Sequence, residues 1–177
     1  PKPILAVDKN ATPWMHLLVV LSITFLIFTP SIKNGFVNWD DDRNVYENKT
    51  LEGPLSKKMV KDIFTTTVIG NYNPLTILSF AVEKHFFGLN PKPMHWTNLI
   101  LHLLCTMLVF KIFQRLGLTL WFVVIGSLLF GIHPMRVESV AWITERKDVL
   151  FSVFFLWALL LYLKNLEQAQ TKRSVFI

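Results

Sequence analysis

Apolar residues in this chain gather into long runs instead of recurring at the spacing of a soluble core. The first run, 14–32, is nearly unbroken, with His16 near its start. At about 1.5 Å per residue it can cross a hydrocarbon core of about 30 Å. It is too long for a signal-peptide core and no small-residue cleavage site follows, so it reads as a first span acting as a signal anchor. A second run, 94–116, is entered by Trp96 and left through Lys111 and Arg115, whose long side chains can reach the headgroups. Gly117 makes a turn into a third run, 118–132. A fourth, 149–163, is followed by Lys164, Lys172 and Arg173. These last two fall short of the usual 20 or so residues. Either they extend into the charged stretch between them, or part of that stretch dips into the bilayer region.

The loop 33–93 carries structure of its own. Ser56 is a capping residue, and Met59, Val60, Ile63 and Phe64 form an apolar face behind it, which predicts a helix over 56–64. Pro74 opens a second helix, 74–87, with Leu75, Leu78, Phe80, Val82 and Phe86 as apolar positions and Gly88 as its stop. Both are too short or too charged to span and suit the membrane surface. The fold class expected is all-α: a polytopic helical membrane protein organised as one domain over 1–177, with spans 14–32, 94–116, 118–132 and 149–163 and a charged connector over 133–148.

Composition sharpens this picture. The chain has 177 residues, 52% of them hydrophobic, with 15 Phe and 6 Trp, well above the soluble average. A net charge of +6 could signal nucleic acid, but the bases flank apolar runs where they suit anionic headgroups, so membrane lipids and no nucleic acid are the expected partners. Cys105 is the single cysteine, so no intrachain disulfide forms. Lys2, Lys9, Lys111, Arg115, Lys164, Lys172 and Arg173 fall on one side of the predicted spans, taken as cytoplasmic, against Arg136, Arg146 and Lys147 in the opposing short loop. The N-terminus is then inside and both charged motifs face outward. The Ser174–Ile177 end resembles the start of another apolar segment, and the chain reads as the N-terminal part of a longer protein.

Two clusters carry chemistry. Asn38-Trp39-Asp40-Asp41-Asp42-Arg43 follows the first span. Three adjacent carboxylates cannot all stay ionised cheaply if desolvated, so one can serve as a base; a divalent cation would also suit them. The bland alternative is a solvated acidic turn with an interfacial tryptophan. His133 to Asp148 packs Arg136, Glu138, Glu145, Arg146 and Lys147 among Val137, Val140, Ala141 and Ile143. On a helix, Glu138 and Trp142 would share a face with Glu145 and Arg146. Arg and Lys beside a carboxylate at a membrane face suit a lipid-borne phosphate; internal ion pairing is the competing account. Asn71-Tyr72-Asn73-Pro74 reads as a turn into the surface helix, with a substrate contact as the alternative. His16, His85, His95 and His102 lack metal-ligand spacing, and His102 shares a helical face only with Cys105, so no metal site is expected from them. The sequons at Asn10 and Asn48 are patterns that arise often by chance.

Phe36-Val37-Asn38-Trp39-Asp40-Asp41-Asp42, Asn71-Tyr72-Asn73-Pro74-Leu75-Thr76 and His133-Pro134 through Val149-Leu150 occur in that order. Together they resemble the N-terminal membrane part of bacterial tetratricopeptide-repeat membrane proteins, which are similar to the transmembrane and tetratricopeptide-repeat O-mannosyltransferases of the GT-C superfamily. The resemblance covers roughly Phe36 to Leu163. It implies a GT-C-like module with two juxtamembrane amphipathic helices, a polyprenyl-phosphate sugar donor and a protein or glycan acceptor. It implies a bacterial inner membrane, with the site facing the periplasm. By the same resemblance Asp40 and Asp41 are catalytic, while Asp42, Arg43, His133, Arg136, Glu138, Arg146 and Lys147 meet substrate or donor phosphate. Many relatives carry a second His where this chain has Arg136; an Arg suits phosphate. Later spans and repeats of such proteins are absent here, so turnover is expected of the full-length protein and not of this part alone.

Two other readings compete with the glycosyltransferase. One is a non-catalytic anchor or scaffold presenting repeats for interaction; the other is part of a transporter. A transporter would show charged or broken helices near the bilayer midplane, and the runs 14–32, 94–116 and 149–163 show little of that. An anchor has no need for the Asp40 and Arg146 clusters to meet in space, so that contact discriminates.

Overall fold

Ten described helical elements follow one another in a computed structural model that describes residues 13–174, with side chains to residue 168. Lys2, Lys9 and the Asn10 sequon lie outside the described residues, as do 175–177 and the side chains of Lys172 and Arg173. Helix α1 (Trp14–Phe28) passes into a 3-10 turn, Thr29–Lys33, that contains Pro30. The acidic run winds into a π turn, Asp42–Tyr46, and a 3-10 turn follows at Lys49–Leu51. Then come α2 (Lys57–Thr65), α3 (Pro74–Phe87), α4 (Pro91–Arg115), α5 (Leu120–Ile132), α6 (Arg136–Ala141) and α7 (Arg146–Ser174). Among the described residues there is no strand, only a bridge between Val68 and Asn71. The chain is an all-α membrane protein.

Local chemistry sets these boundaries. The Ser56 hydroxyl accepts from Met59 N at 3.2 Å and caps α2. Pro74 supplies the first turn of α3, where its missing N–H costs nothing, and Gly88 at φ +68 ends it. Helix α3 buries Thr76, Ile77, Phe80, Ala81 and Glu83 and leaves Leu75, Val82 and Phe86 exposed. Its packed face is therefore not the set of its apolar positions. Helix α4 begins at Pro91, earlier than position 94, because Pro91 suits a first turn and the Asn90 side chain accepts from Lys92 N.

Three helical stretches are long and apolar enough to cross a membrane: Trp14–Lys33, Pro91–Arg115 and Arg146–Gln168. Helix α5 is apolar but only 13 residues long. The fourth expected span starts inside the charged connector, at Arg146, and runs well past 163.

The chain divides into two units. One comprises Leu101–Arg136 with residues up to Ile27 and from Phe151 onward. Leu17, Val20, Phe110 and Val123 form a core there. Gly131 lets neighbours approach closely: a Cβ on it would lie 2.5 Å from Thr24 Oγ1 and 3.1 Å from Thr106 Cγ2. Small residues and Thr hydroxyls are the usual means of packing helices in lipid, where no water drives them together. The other unit comprises Phe28–Ile100 and Val137–Leu150 and holds the acidic run. Its core is Val45, Leu51, Met59, Ile63, Ile77, Phe80, Ala81, Met94 and Ile143.

Candidate functional site

The acidic run and the charged connector meet. Thr144 donates to Asp41 Oδ1 twice, from its backbone N at 3.0 Å and from its hydroxyl at 2.6 Å. Val37 N donates to the other oxygen, Oδ2, at 3.0 Å. Asp41 is 1% exposed. A buried carboxylate is costly unless donors surround it, and these three offset the cost. They also occupy both oxygens, so Asp41 does not stand open to an acceptor. In this geometry the Asp41 carboxylate joins the two segments.

Asp40 differs. It sits at φ +81, in the left-handed region that Asp tolerates better than most residues. Asn44 pins its carbonyl through both the backbone N and the side-chain amide, each at 2.9 Å. Its carboxylate has no hydrogen-bond partner among the described residues and is partly exposed. Val37, Trp39 and Trp142 line an open apolar cleft of about 270 Å³ beside this turn. Asp42 accepts from Arg43 N at 2.8 Å, and Arg43 is exposed. The Tyr46 phenol is held above its usual pKa range by partial desolvation first, then by the Asp42, Glu47 and Asp41 carboxylates.

The connector is not one helix. Helix α6 ends at Ala141 and α7 begins at Arg146. Asn98 Nδ2 donates to Trp142 O at 3.0 Å and Ile143 O at 3.5 Å, while Thr144 N is taken by Asp41. Tertiary partners thus claim the backbone groups that a continuous helix would use. Glu138 and Glu145 therefore do not share a helical face. Glu138 and His133 are exposed; His133 accepts from Met135 N at 3.2 Å. Arg136 stacks over the Phe130 ring at 4.6 Å. Lys147 is partly exposed and pairs with Glu145.

Arg146 departs furthest from expectation. It is 0% exposed and every guanidinium nitrogen is engaged. Nε donates to Asn98 Oδ1, Nη1 to Ser79 Oγ and Glu83 Oε2, and Nη2 to Met94 O, all at 2.8 Å. The guanidinium also stacks over Phe80 at 4.4 Å. Thr97 donates to the other oxygen of Glu83. Four of its five N–H donors are taken inside the protein and the side chain is fully buried, so in this geometry the guanidinium presents no open face to a phosphate.

Thr144, Asn98, Glu83 and Ser79 were not singled out by sequence reasoning. No metal role is expected of His95; it is 1% exposed, and neither ring nitrogen has a hydrogen-bond partner among the described residues. A signal existed. Positions 95, 98, 102 and 106 recur on one face of α4, and a polar stripe on an apolar helix marks a packed or functional face. Among the described residues no three His, Cys, Asp or Glu side chains gather as a metal-ligand set.

No family model and no solved structure matches the chain. Curated relatives do. Over 152 residues, 82% of the chain, it is 30% identical to the Drosophila melanogaster protein O-mannosyl-transferase Tmtc1. It is 30% identical to the human protein O-mannosyl-transferase TMTC4 over 89% of its length, and 36% identical to mouse TMTC1 over 61%. This chain is similar to the TMTC protein O-mannosyl-transferases. It spans 18% of the fly protein, 24% of human TMTC4 and 12% of mouse TMTC1. The three motifs fall within the part with this TMTC likeness, and so do α3, α4 and the connector that build the site.

Proposed function

We propose that this chain supplies the acidic loop and part of the membrane domain of a GT-C-type glycosyltransferase. The enzyme moves a sugar, mannose by the TMTC likeness, from a polyprenyl-phosphate carrier to a hydroxyl of a protein acceptor. The observation that carries this reading is the Asp41–Thr144 contact. It joins the acidic run to the connector and leaves the Asp40 carboxylate unengaged beside it.

In the reaction the acceptor oxygen bonds to the anomeric carbon and its proton passes to Asp40. The carbon–oxygen bond to phosphate breaks, and that electron pair leaves with the prenyl phosphate. Charge grows on the phosphate in the transition state, so fixed cations there accelerate transfer. Arg43 and Lys147 are assigned to the phosphate, with Asp42 and Glu138 orienting these groups. Asp41 and Arg146 do not touch substrate. The site faces the outer side of the membrane, the periplasm in a bacterial inner membrane.

The test uses the full-length protein in liposomes with a polyprenyl-phosphate mannose donor. Asp40→Asn should lower kcat by about 10²-fold or more while leaving donor binding nearly unchanged, since it removes a proton acceptor and keeps the shape. Unchanged turnover in Asp40→Asn would refute the assignment and leave the anchor reading ahead.

A further inference from the structure

The buried Arg146 lies two residues from Thr144, and Thr144 holds Asp41, the neighbour of Asp40. Its contacts come from separate segments: Ser79 and Glu83 on α3, Met94 and Asn98 on α4, and Arg146 itself at the head of α7. Asn98 links Arg146 back to the break in the connector, because its carbonyl accepts from Arg146 Nε while its amide donates to Trp142 O and Ile143 O. The path from guanidinium to Asp40 is therefore continuous: Arg146, Asn98, the Trp142–Thr144 backbone, Asp41, Asp40.

We propose that Arg146 is a positioning residue that sets the acidic loop against the connector, and through it the place of the Asp40 carboxylate. This rests on the proposed role of Asp40. A buried ion pair is weak evidence for a stabilising role, since apolar residues of similar volume can replace one at little cost. What apolar residues cannot reproduce is a planar fork that bonds in four directions at once. The geometry fits direction-setting better than stability. Lysine, a point charge on a flexible stem, would not replace it.

Two readouts test this in the full-length protein. The first needs no activity: cysteines replace Val37 and Trp142, which line one cleft, in a Cys105→Ser background, and a short bismaleimide joins them. The second is the kcat and KM of transfer. The variants are Arg146→Lys and the volume-matched double variant Glu83→Leu/Arg146→Met. The double variant should reach the membrane with wild-type protease resistance. Its cross-linking should fall severalfold and its kcat by about 100-fold, the effect of a misplacement near 1 Å, with KM little changed. Arg146→Lys should rescue neither. Wild-type cross-linking in the folded double variant would overturn the proposal. If the double variant does not accumulate, Asn98→Leu, which breaks the path and spares the ion pair, decides by the same cross-link: reduced yield supports the proposal and wild-type yield overturns it. An enzyme without transfer activity would sink the role of Asp40, and the cross-link would still decide whether Arg146 sets the loop.

Discussion

Asp40 is where backbone strain and free chemistry coincide. A non-glycine residue at φ +81 costs on the order of 1 kcal/mol, and such strain persists only where the surroundings impose it. Here Asn44 imposes it, by holding the Asp40 carbonyl from two directions. Asp40→Gly should therefore raise the thermal midpoint in detergent, by the equivalent of about 0.5–1 kcal/mol, while turnover drops as in Asp40→Asn. A lowered midpoint would mean that the carboxylate itself holds the turn. Thr144→Val makes the opposite case. It removes a hydroxyl bonded to the buried Asp41, and the under-satisfied carboxylate should cost about 1–3 kcal/mol, read as a lower midpoint in the same assay.

At the scale of elements, the helices that announce themselves locally were legible. Ser56 caps α2, Pro74 and Gly88 bracket α3, and the apolar runs mark α1, α4 and α7. The break between α6 and α7 was not legible, because its causes are distant in sequence. Asn98 and Asp41 take the backbone of Trp142 to Thr144 from 44 and 103 residues away. The burial of Arg146 escaped for the same reason: its partners lie on α3 and α4. Spacing suggested a charged face for phosphate, whereas packing turned the most central charge inward. Glycine in an apolar span is a similar case. Gly131 looks unremarkable in a run of Leu and Phe, yet it faces Thr24, whose hydroxyl already bonds Val20 O. Gly131→Ala should destabilise by about 1–3 kcal/mol, as overpacking does, and a detergent melt of the variant checks it. An unshifted midpoint would show that the Thr24 side chain turns away freely.

For the whole molecule, the Asp41–Thr144 bond constrains topology more tightly than charge counting does. Two segments bonded at 2.6 Å lie on one side of the membrane, so the chain between them crosses an even number of times. Helix α4, at 25 residues, is long enough to cross once, about 37 Å at 1.5 Å per residue. A crossing by α4 would then require α5 to return, although its 13 residues give only about 20 Å against a core of about 30 Å. A short span is accommodated by local thinning and by flanking residues that reach the headgroups, at a modest cost per ångström. In a Cys105→Ser background, cysteines at Arg43 and Glu138, both exposed, should react with an impermeant maleimide from the same side. A cysteine at Leu118, exposed in the turn between α4 and α5, should react from the other. Labelling of 43 and 138 from opposite sides would contradict the bonded arrangement of loop and connector. Labelling of all three from one side would mean that neither α4 nor α5 crosses, and would remove the membrane topology on which an outward-facing transfer site depends.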